Sequence, residues 1–594
     1  MPGFAFHAKT GKLEVFFMLK PDPMSLRQRR QTQTENLSMQ VLDSPEAPRI
    51  LPWSLLLLAL LALAMVYLRN GIIYALYPYG LENGEALVLR FCQFLSEGKR
   101  IYAPLDSGPP FIGCNYPPLY LALVAFALKT GVAGFFAGRL VSLLSTVGIA
   151  ICLVVLALRL GAHWIFSMVG GLLFFSISWV NTLTPFARVD MLAAFLSIGG
   201  IVLLMPHGGS GAPQPSEIPK EDPLTFRELL GILLLALATY AKQTGVFSSA
   251  AYVLWVLGWK RQRLLRTILL LGGTGLLLHG SVQLLTKGEY FKWVAIYSSG
   301  QYSADRLFAY LSLYFQRGWL AAVPALLLAG IWMKRWFFPA EKKPKRRRIK
   351  RGSINPTKVI PALQALPFVY FLVAAASCVL TARSGSSFHY FLEVTALASA
   401  FSGLLLWELW TRFGKRRYGE IAMAVFSLLV LGAYTGLHSK ELLRWGTLMG
   451  SSLEFRDRMT QAALDGVSGP ILAEELTYEV NGKKEPFLVN PFIYTDLERR
   501  GLWDSAPVVS ALEQGKFGAL CFDSSLKEVG PLTLERFGGK ILRAAAWQYP
   551  YELPIQYERF LYFRRMEDYK KAFECAKAEK ARIEEEQQVF KIVH

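Results

Sequence analysis

Two glutamates stand three apart in YPYGLENGEALVLRF, residues 77–91, just past the first long apolar run of the chain: Glu82 and Glu85. Other ionisable or polar groups flank later apolar runs: Arg139 in AGRLVSLL, Arg188 and Asp190 in TPFARVDMLAAF, Lys242 in ATYAKQTGVF, His389 and Tyr390 in SGSSFHYFLE. Ionisable groups at membrane depth are costly, so each is a candidate for function. Carboxylates and cations together suit one chemistry well. A carboxylate can take the proton of a hydroxyl as it attacks a sugar carbon, while arginine and lysine hold a phosphate whose charge grows as it leaves. A leaving group carried on a long isoprenoid would explain why such a site lies in a membrane.

Each residue also has a plainer reading. Arg139 and Lys242 can snorkel to headgroups, Glu82 and Glu85 can face solvent, and His389 can be an ordinary packed histidine. Arg188 and Asp190, two apart, would not face each other on a helix, and an ion pair to other helices is an alternative to catalysis. The argument for a site is convergence: all of these fall on one side of the expected topology. No carboxylate or histidine cluster has metal spacing, so the sequence requires no cofactor and leaves a divalent metal open. LLGGTGLLLHG (270–280) is only superficially a phosphate loop; inside an apolar run its glycines read as helix packing.

The elements that must position these groups are membrane helices. The chain has 594 residues, 53% hydrophobic, with 14 Trp and 39 Phe. Repeated apolar runs of roughly 17–25 residues match the ~30 Å hydrocarbon core of a bilayer. Spans are expected at 51–68, 138–158, 163–180, 189–205, 228–241, 244–258, 267–285, 318–336, 361–381, 387–409 and 420–437, about eleven in all. The net charge of +20 is concentrated in KRQRLLR (260–266), EKKPKRRRIKR (341–351) and TRFGKRRYGE (411–420). With residues 1–50 as a cytoplasmic polar tail, alternation puts these clusters inside, as the positive-inside bias requires. They suit anionic membrane lipids better than nucleic acid. YPPLYLALVAFALKTG (116–131) is assigned to a helix in the outer interface, opened by Pro117 and Pro118.

GGSGAPQPSEIPKEDP (208–223) reads as a linker. The expected domains are a transmembrane catalytic domain over 51–440, whose first external loop is 70–137, then an extracytoplasmic α/β domain over 441–563, then a charged helical tail over 564–594. ILAEELTYEV, KEPFLV and FGALCFD read as strands of the α/β domain. Six scattered cysteines form no CxxC. Cys92 and Cys114 share the first external loop, where pairing is one reading and two buried thiols the other.

YPYGLENGEA, NYPPLYLALVAF, AGRLVSLL, FARVDMLAAF, AKQTGV and HYFLE form an ordered series that resembles the GT-C superfamily of integral-membrane glycosyltransferases, in the family-39-like group. This group includes protein O-mannosyltransferases and aminoarabinose transferases. The resemblance covers about residues 51–440, and LVNPFIYTDLERRGLWD echoes an external domain of bacterial members. It implies an inverting glycosyl transfer from a polyprenyl-phosphate sugar donor to a lipid, glycan or protein acceptor, at a bacterial inner membrane with the active site outside. It implies one of Glu82 and Glu85 as general base, Glu85 first, with Asp190 assisting. Arg139, Arg188 and Lys242 are expected at the donor phosphate, with His389 and Tyr390 near the headgroup. Many relatives have adjacent Asp-Glu where this chain has Glu82-Asn83-Gly84-Glu85, so the choice of acid stays open. The rival functions are a membrane transporter or lipid-linked sugar flippase, which would favour polar groups at the midplane and repeated halves, and a non-catalytic assembly protein.

Overall fold

The structure is a computed structural model and describes residues 48–206, 224–337, 359–414, 416, 418–443, 452–482, 484–555 and 559–593. The expected tail over 1–47, the linker 208–223 and the basic cluster 341–351 lie outside the described residues. All eleven expected spans are helical. Among the described residues seven helices are long and apolar enough to cross a membrane by length and composition: Ile50–Leu76, Gly134–Arg159, Arg261–Leu285, Ala304–Phe337, Leu363–Ala382, Phe388–Gly414 and Gly419–Leu437. Four are shorter: Trp164–Ser176, Val189–Leu204, Phe226–Ala241 and Val246–Trp259. The expected span 163–180 breaks at Ile177, whose backbone turns extended before Ser178–Leu183 resumes the helix. Fourteen residues of Val189–Leu204 are buried; this helix lies inside the bundle, and its first turn carries Asp190.

The two ends of the bundle differ. At one end Trp53 and Trp410 both donate to Glu420 (3.1 and 3.3 Å), Arg266 pairs with Glu228 (3.1 Å), and Arg412 and Arg335 pair with Glu408. The described basic clusters gather there. Glu82, Asp190, Lys242 and His389 gather at the other end. Between the first two long helices lie Asn83–Ser96 and Pro118–Lys129. Pro118 opens the latter, where its missing N–H is no loss, and Leu123 and Phe126 project outward at 45% and 71% exposure.

The C-terminal region holds a four-stranded sheet in the order β1-β2-β4-β3: β1 (Ile471–Ala473), β2 (Ala519–Phe522), β3 (Tyr551–Ile555) and β4 (Arg559–Phe563). β1 and β2 are parallel; β2–β4 and β3–β4 are antiparallel. Only part of the expected strand pattern survives. ILA and ALCF are strands, but TYEVN is a helix, and of KEPFLV only Leu488 makes a bridge, to Phe111 of the first loop. The tail helix Met566–Val593 needs no wide apolar stripe: Ala572 and Ala576 pack beside Ala463 and Leu464, and Arg458 clasps Glu579 (2.7 Å) and Glu586 (2.6 Å). The tail helix thus packs against the helix Ser452–Asp465.

A single apolar core joins the first loop to the C-terminal domain. Val88, Phe91 and Tyr120 share it with Leu472, Val489 and Phe537. Phe111 N donates to Phe487 O and Val489 N donates to Phe111 O, both at 2.9 Å. Cys92 and Cys114 lie within this core as free, buried thiols.

Candidate active site

Glu85 and Arg139 are fully buried and pair with each other. Arg139 Nε donates to Glu85 Oε1 (2.9 Å) and Nη2 to Oε2 (2.8 Å). Ala187 N adds a bond to Oε1 (2.6 Å) and Leu81 N one to Oε2 (2.7 Å). The remaining Arg139 donors go to the carbonyls of Tyr74, Tyr77 and Tyr79 at 2.5–2.6 Å. A guanidinium has five N–H groups and a carboxylate about four acceptor positions, and all are engaged. The expectation of Glu85 as base and Arg139 at a phosphate therefore meets a sealed pair. Its geometry is that of a fastener joining the loop 74–85 to the helix Gly134–Arg159 and to residue 187.

Glu82 is different. It caps the helix Asn83–Ser96, accepting from Gly84 N (2.9 Å) in the usual N-cap manner. Its side chain is 34% exposed and pairs with Arg188 Nη1 (2.7 Å). Arg188 also reaches Asp190 through Nε (3.4 Å), and Lys242 forms an ion pair with the other Asp190 oxygen. Arg188 and Asp190 meet because the helix starts only at Val189: Arg188 has the extended backbone of an N-cap (φ −130°, ψ 151°). A Cβ at residue 84 would overlap Arg188 Nη1 and crowd Glu82 Oε2, so a side chain here would displace the Glu82–Arg188 pair. The spacing Glu82-Asn83-Gly84-Glu85 thus sends one acid inward to Arg139 and leaves the other beside Arg188. Burial pushes the Glu82 carboxyl up, but Arg188, then His389, more than offset this and hold it below the ordinary glutamate value.

Lys242 Nζ lies 4.6 Å from the centre of the Tyr390 ring. His389 Nδ1 meets Ser387 Oγ, while its buried Nε2 has no partner among the described residues. A cavity of about 20 Å³, room for about one water, lies among Asp190, Lys242, His389, Tyr390 and Glu393. Apart from the sealed pair, the expected residues therefore come together: Glu82, Arg188, Asp190, Lys242, His389 and Tyr390 form one continuous charged patch.

A larger cavity, of about 460 Å³, opens above it between the helical bundle and the C-terminal domain. Glu82, Asn83, Tyr116 and Arg188 line its floor; Glu474, Asn490, Asp496 and Arg536 line its roof. Arg306 pairs with Glu535 (3.4 Å) and Arg536 with Glu474 (2.5 Å) at its wall. Arg383 also lines it, donating to Tyr390 Oη (3.1 Å), and forms no ion pair among the described residues. Sequence reasoning passed over Arg383, although TARSGSSFHY places it six residues before His389. It also passed over the roof, whose residues come from a region assigned no chemistry. Burial first, and the neighbouring Asp523 as well, raise the carboxyls of Glu474 and Glu475, the latter to about 7, against the pull of Arg536 on Glu474 and of Arg559 on Glu475. Among the described residues no group of three or more His, Cys, Asp or Glu side chains lies close enough to hold a metal ion.

No protein-family model and no curated protein sequence matches the chain. Solved structures do. ArnT from Cupriavidus metallidurans in the apo state aligns with a TM-score of 0.55 at 13% identity, over 87% of this chain and 98% of that one. The same protein bound to undecaprenyl phosphate aligns at 0.53 and 14%, with the same coverage. The oligosaccharyltransferase AglB from Archaeoglobus fulgidus, in complex with an inhibitory peptide and a dolichol-phosphate, aligns at 0.47 and 12%, over 86% of this chain and 74% of that one. Identity this low speaks to the fold. The chain is an integral membrane protein with the GT-C-type fold that it shares with ArnT.

Proposed function

We propose that the chain is a glycosyltransferase that moves a sugar from a polyprenyl-phosphate donor to an acceptor hydroxyl, with Glu82 as general base and an extracytoplasmic site. The observation that carries this reading is one cavity lined by a partly exposed carboxylate, Glu82, by its partner Arg188 and by Arg383, which has no ion partner among the described residues. Glu82 takes the acceptor proton as the hydroxyl oxygen bonds to the anomeric carbon from the face opposite the phosphate. The carbon–oxygen bond to phosphate breaks, and the lipid phosphate leaves with its added charge met by Arg383, Arg188 and Lys242. Asp190 holds Lys242 and Arg188 in place. The bound undecaprenyl phosphate of ArnT supports a lipid phosphate as donor. The basic residues at the far end of the bundle support an extracytoplasmic site by the positive-inside bias.

The test compares membrane lipids and envelope glycans by mass spectrometry in cells carrying the wild-type chain or Glu82→Gln. A glycan or glycolipid present only with wild type is expected, and identical profiles would sink the reading. Purified wild-type protein should gain thermal stability on adding undecaprenyl phosphate, whereas Arg383→Met should gain markedly less. An equal gain in both would remove Arg383 from the phosphate site.

The pH dependence follows from Glu82. Because its carboxyl lies below the ordinary value, the base stays ionised until the pH falls below that value, and kcat/KM is lost only there. Arg188→Gln removes the largest opposing charge, so burial then dominates and the acid limb should move to higher pH. An unmoved limb would show that another group titrates.

A further inference from the structure

The loop that carries Glu82 is held from two sides. The bundle holds it through Arg139 and Glu85. The C-terminal domain holds it through Tyr77 Oη to Asp457 Oδ2 (2.7 Å), Gly80 N to Thr477 Oγ1 (2.7 Å), Asn481 Nδ2 to Pro78 O (2.9 Å) and Arg90 Nη2 to Lys484 O (3.4 Å). A fifth contact falls on the residue next to Glu82. With its amide oriented to satisfy both neighbours, Asn83 donates to Glu475 Oε1 (3.1 Å) and accepts from Arg536 Nη1 (2.8 Å).

Neither partner is itself loose. Glu475 is clasped by Arg559 Nη2 (2.6 Å), and Arg536 by Glu474 Oε1 (2.5 Å), whose other oxygen accepts from Asp523 N (2.9 Å) and Thr533 Oγ1 (2.8 Å). Glu474 and Glu475 follow the carboxyl end of β1, and Asp523 follows that of β2. In α/β sheets this is the edge at which ligands are received. Here the edge presents an ion-paired network to Asn83 of the first loop. Asn83 and Arg536 both line the cavity, one on the floor and one on the roof.

We propose that Asn83 is a positioning residue: its carboxamide, pinned between Glu475 and Arg536, sets the direction of the Glu82 carboxylate, so that the C-terminal domain aligns chemistry carried on a bundle-side loop. The proposal rests on Glu82 being the base. As the first residue of its helix, Asn83 has no intrahelical partner for its N–H; alanine there costs the helix little, and a purely structural role would leave the reaction intact.

The test uses the full-length protein in proteoliposomes, with the undecaprenyl-phosphate form of the sugar found in the mass-spectrometric product. Asn83→Ala should lower kcat by ~10–100-fold, as misplacement of a reacting group by about an ångström does, with donor KM and melting temperature unchanged. Asn83→Asp places a negative charge beside Glu82 and should move the acid limb of kcat/KM to higher pH. Asn83→Ala with wild-type kcat would overturn the proposal, as would a kcat loss matched by a fall in melting temperature. Glu82→Gln inactive beside a fully active Asn83→Ala defeats this proposal alone; a fully active Glu82→Gln defeats the base and this proposal together.

Discussion

Glu82→Gln should remove transfer by ~10²–10⁴-fold in kcat, the range a positioned general base contributes. The amide keeps the size of the side chain and one acceptor oxygen, so the cap on Gly84 N survives, and the fold with it. Donor binding should persist, because the proposed phosphate contacts are Arg383, Arg188 and Lys242 rather than Glu82. The measurement is kcat in proteoliposomes alongside the melting shift on adding undecaprenyl phosphate. Wild-type kcat in this variant would end Glu82's candidacy. Loss of the melting shift together with kcat would recast Glu82 as part of the binding site.

Glu85→Gln should fail differently. The substitution leaves Arg139 charged, fully buried and facing a neutral amide whose NH₂ points a donor at a donor. Breaking a buried pair from one side costs ~3–5 kcal/mol. The expected outcome is a large fall in melting temperature and in yield of folded protein, at every pH where the wild type is stable. Arg139→Met combined with Glu85→Leu should recover part of that loss, since no uncompensated charge remains. A Glu85→Gln protein that melts with the wild type but cannot transfer would return Glu85 to the chemistry and displace Glu82.

These two acids mark where the sequence stops being informative. Its composition and spacing announce eleven helical segments and an acidic pair beside the first, because apolar run length is a local property. The clustering of Asp190, Lys242 and His389 follows once alternation of helices is granted. Which acid is free depends on partners 54 and 102 residues away, Arg139 N–H groups and the Ala187 amide, and no local pattern encodes that count. The Arg188–Asp190 contact cannot be read from helical spacing, because the helix begins between them and Arg188 keeps an extended backbone. Arg383 carries no signature beyond its charge; what singles it out is that it lines the cavity with no ion partner among the described residues. The strands Tyr551–Ile555 and Arg559–Phe563 lie beside residues that read as a charged tail, and only pairing with β2 and each other fixes them.

The core shared by the first loop and the C-terminal domain sets a schedule for biosynthesis. Gly80 and its partner Thr477 are 397 residues apart, which at ~5–20 residues per second is ~20–80 s of translation. Through that interval Val88 and Phe91 have the nearby part of their core, Tyr120 and Leu121, but lack Leu472, Val489 and Phe537. The loop must wait, half-assembled, for the ribosome to finish the chain. A stalled or shortened nascent protein therefore leaves sticky surface on the loop, making this region the natural client for folding factors and the first target of quality-control proteases.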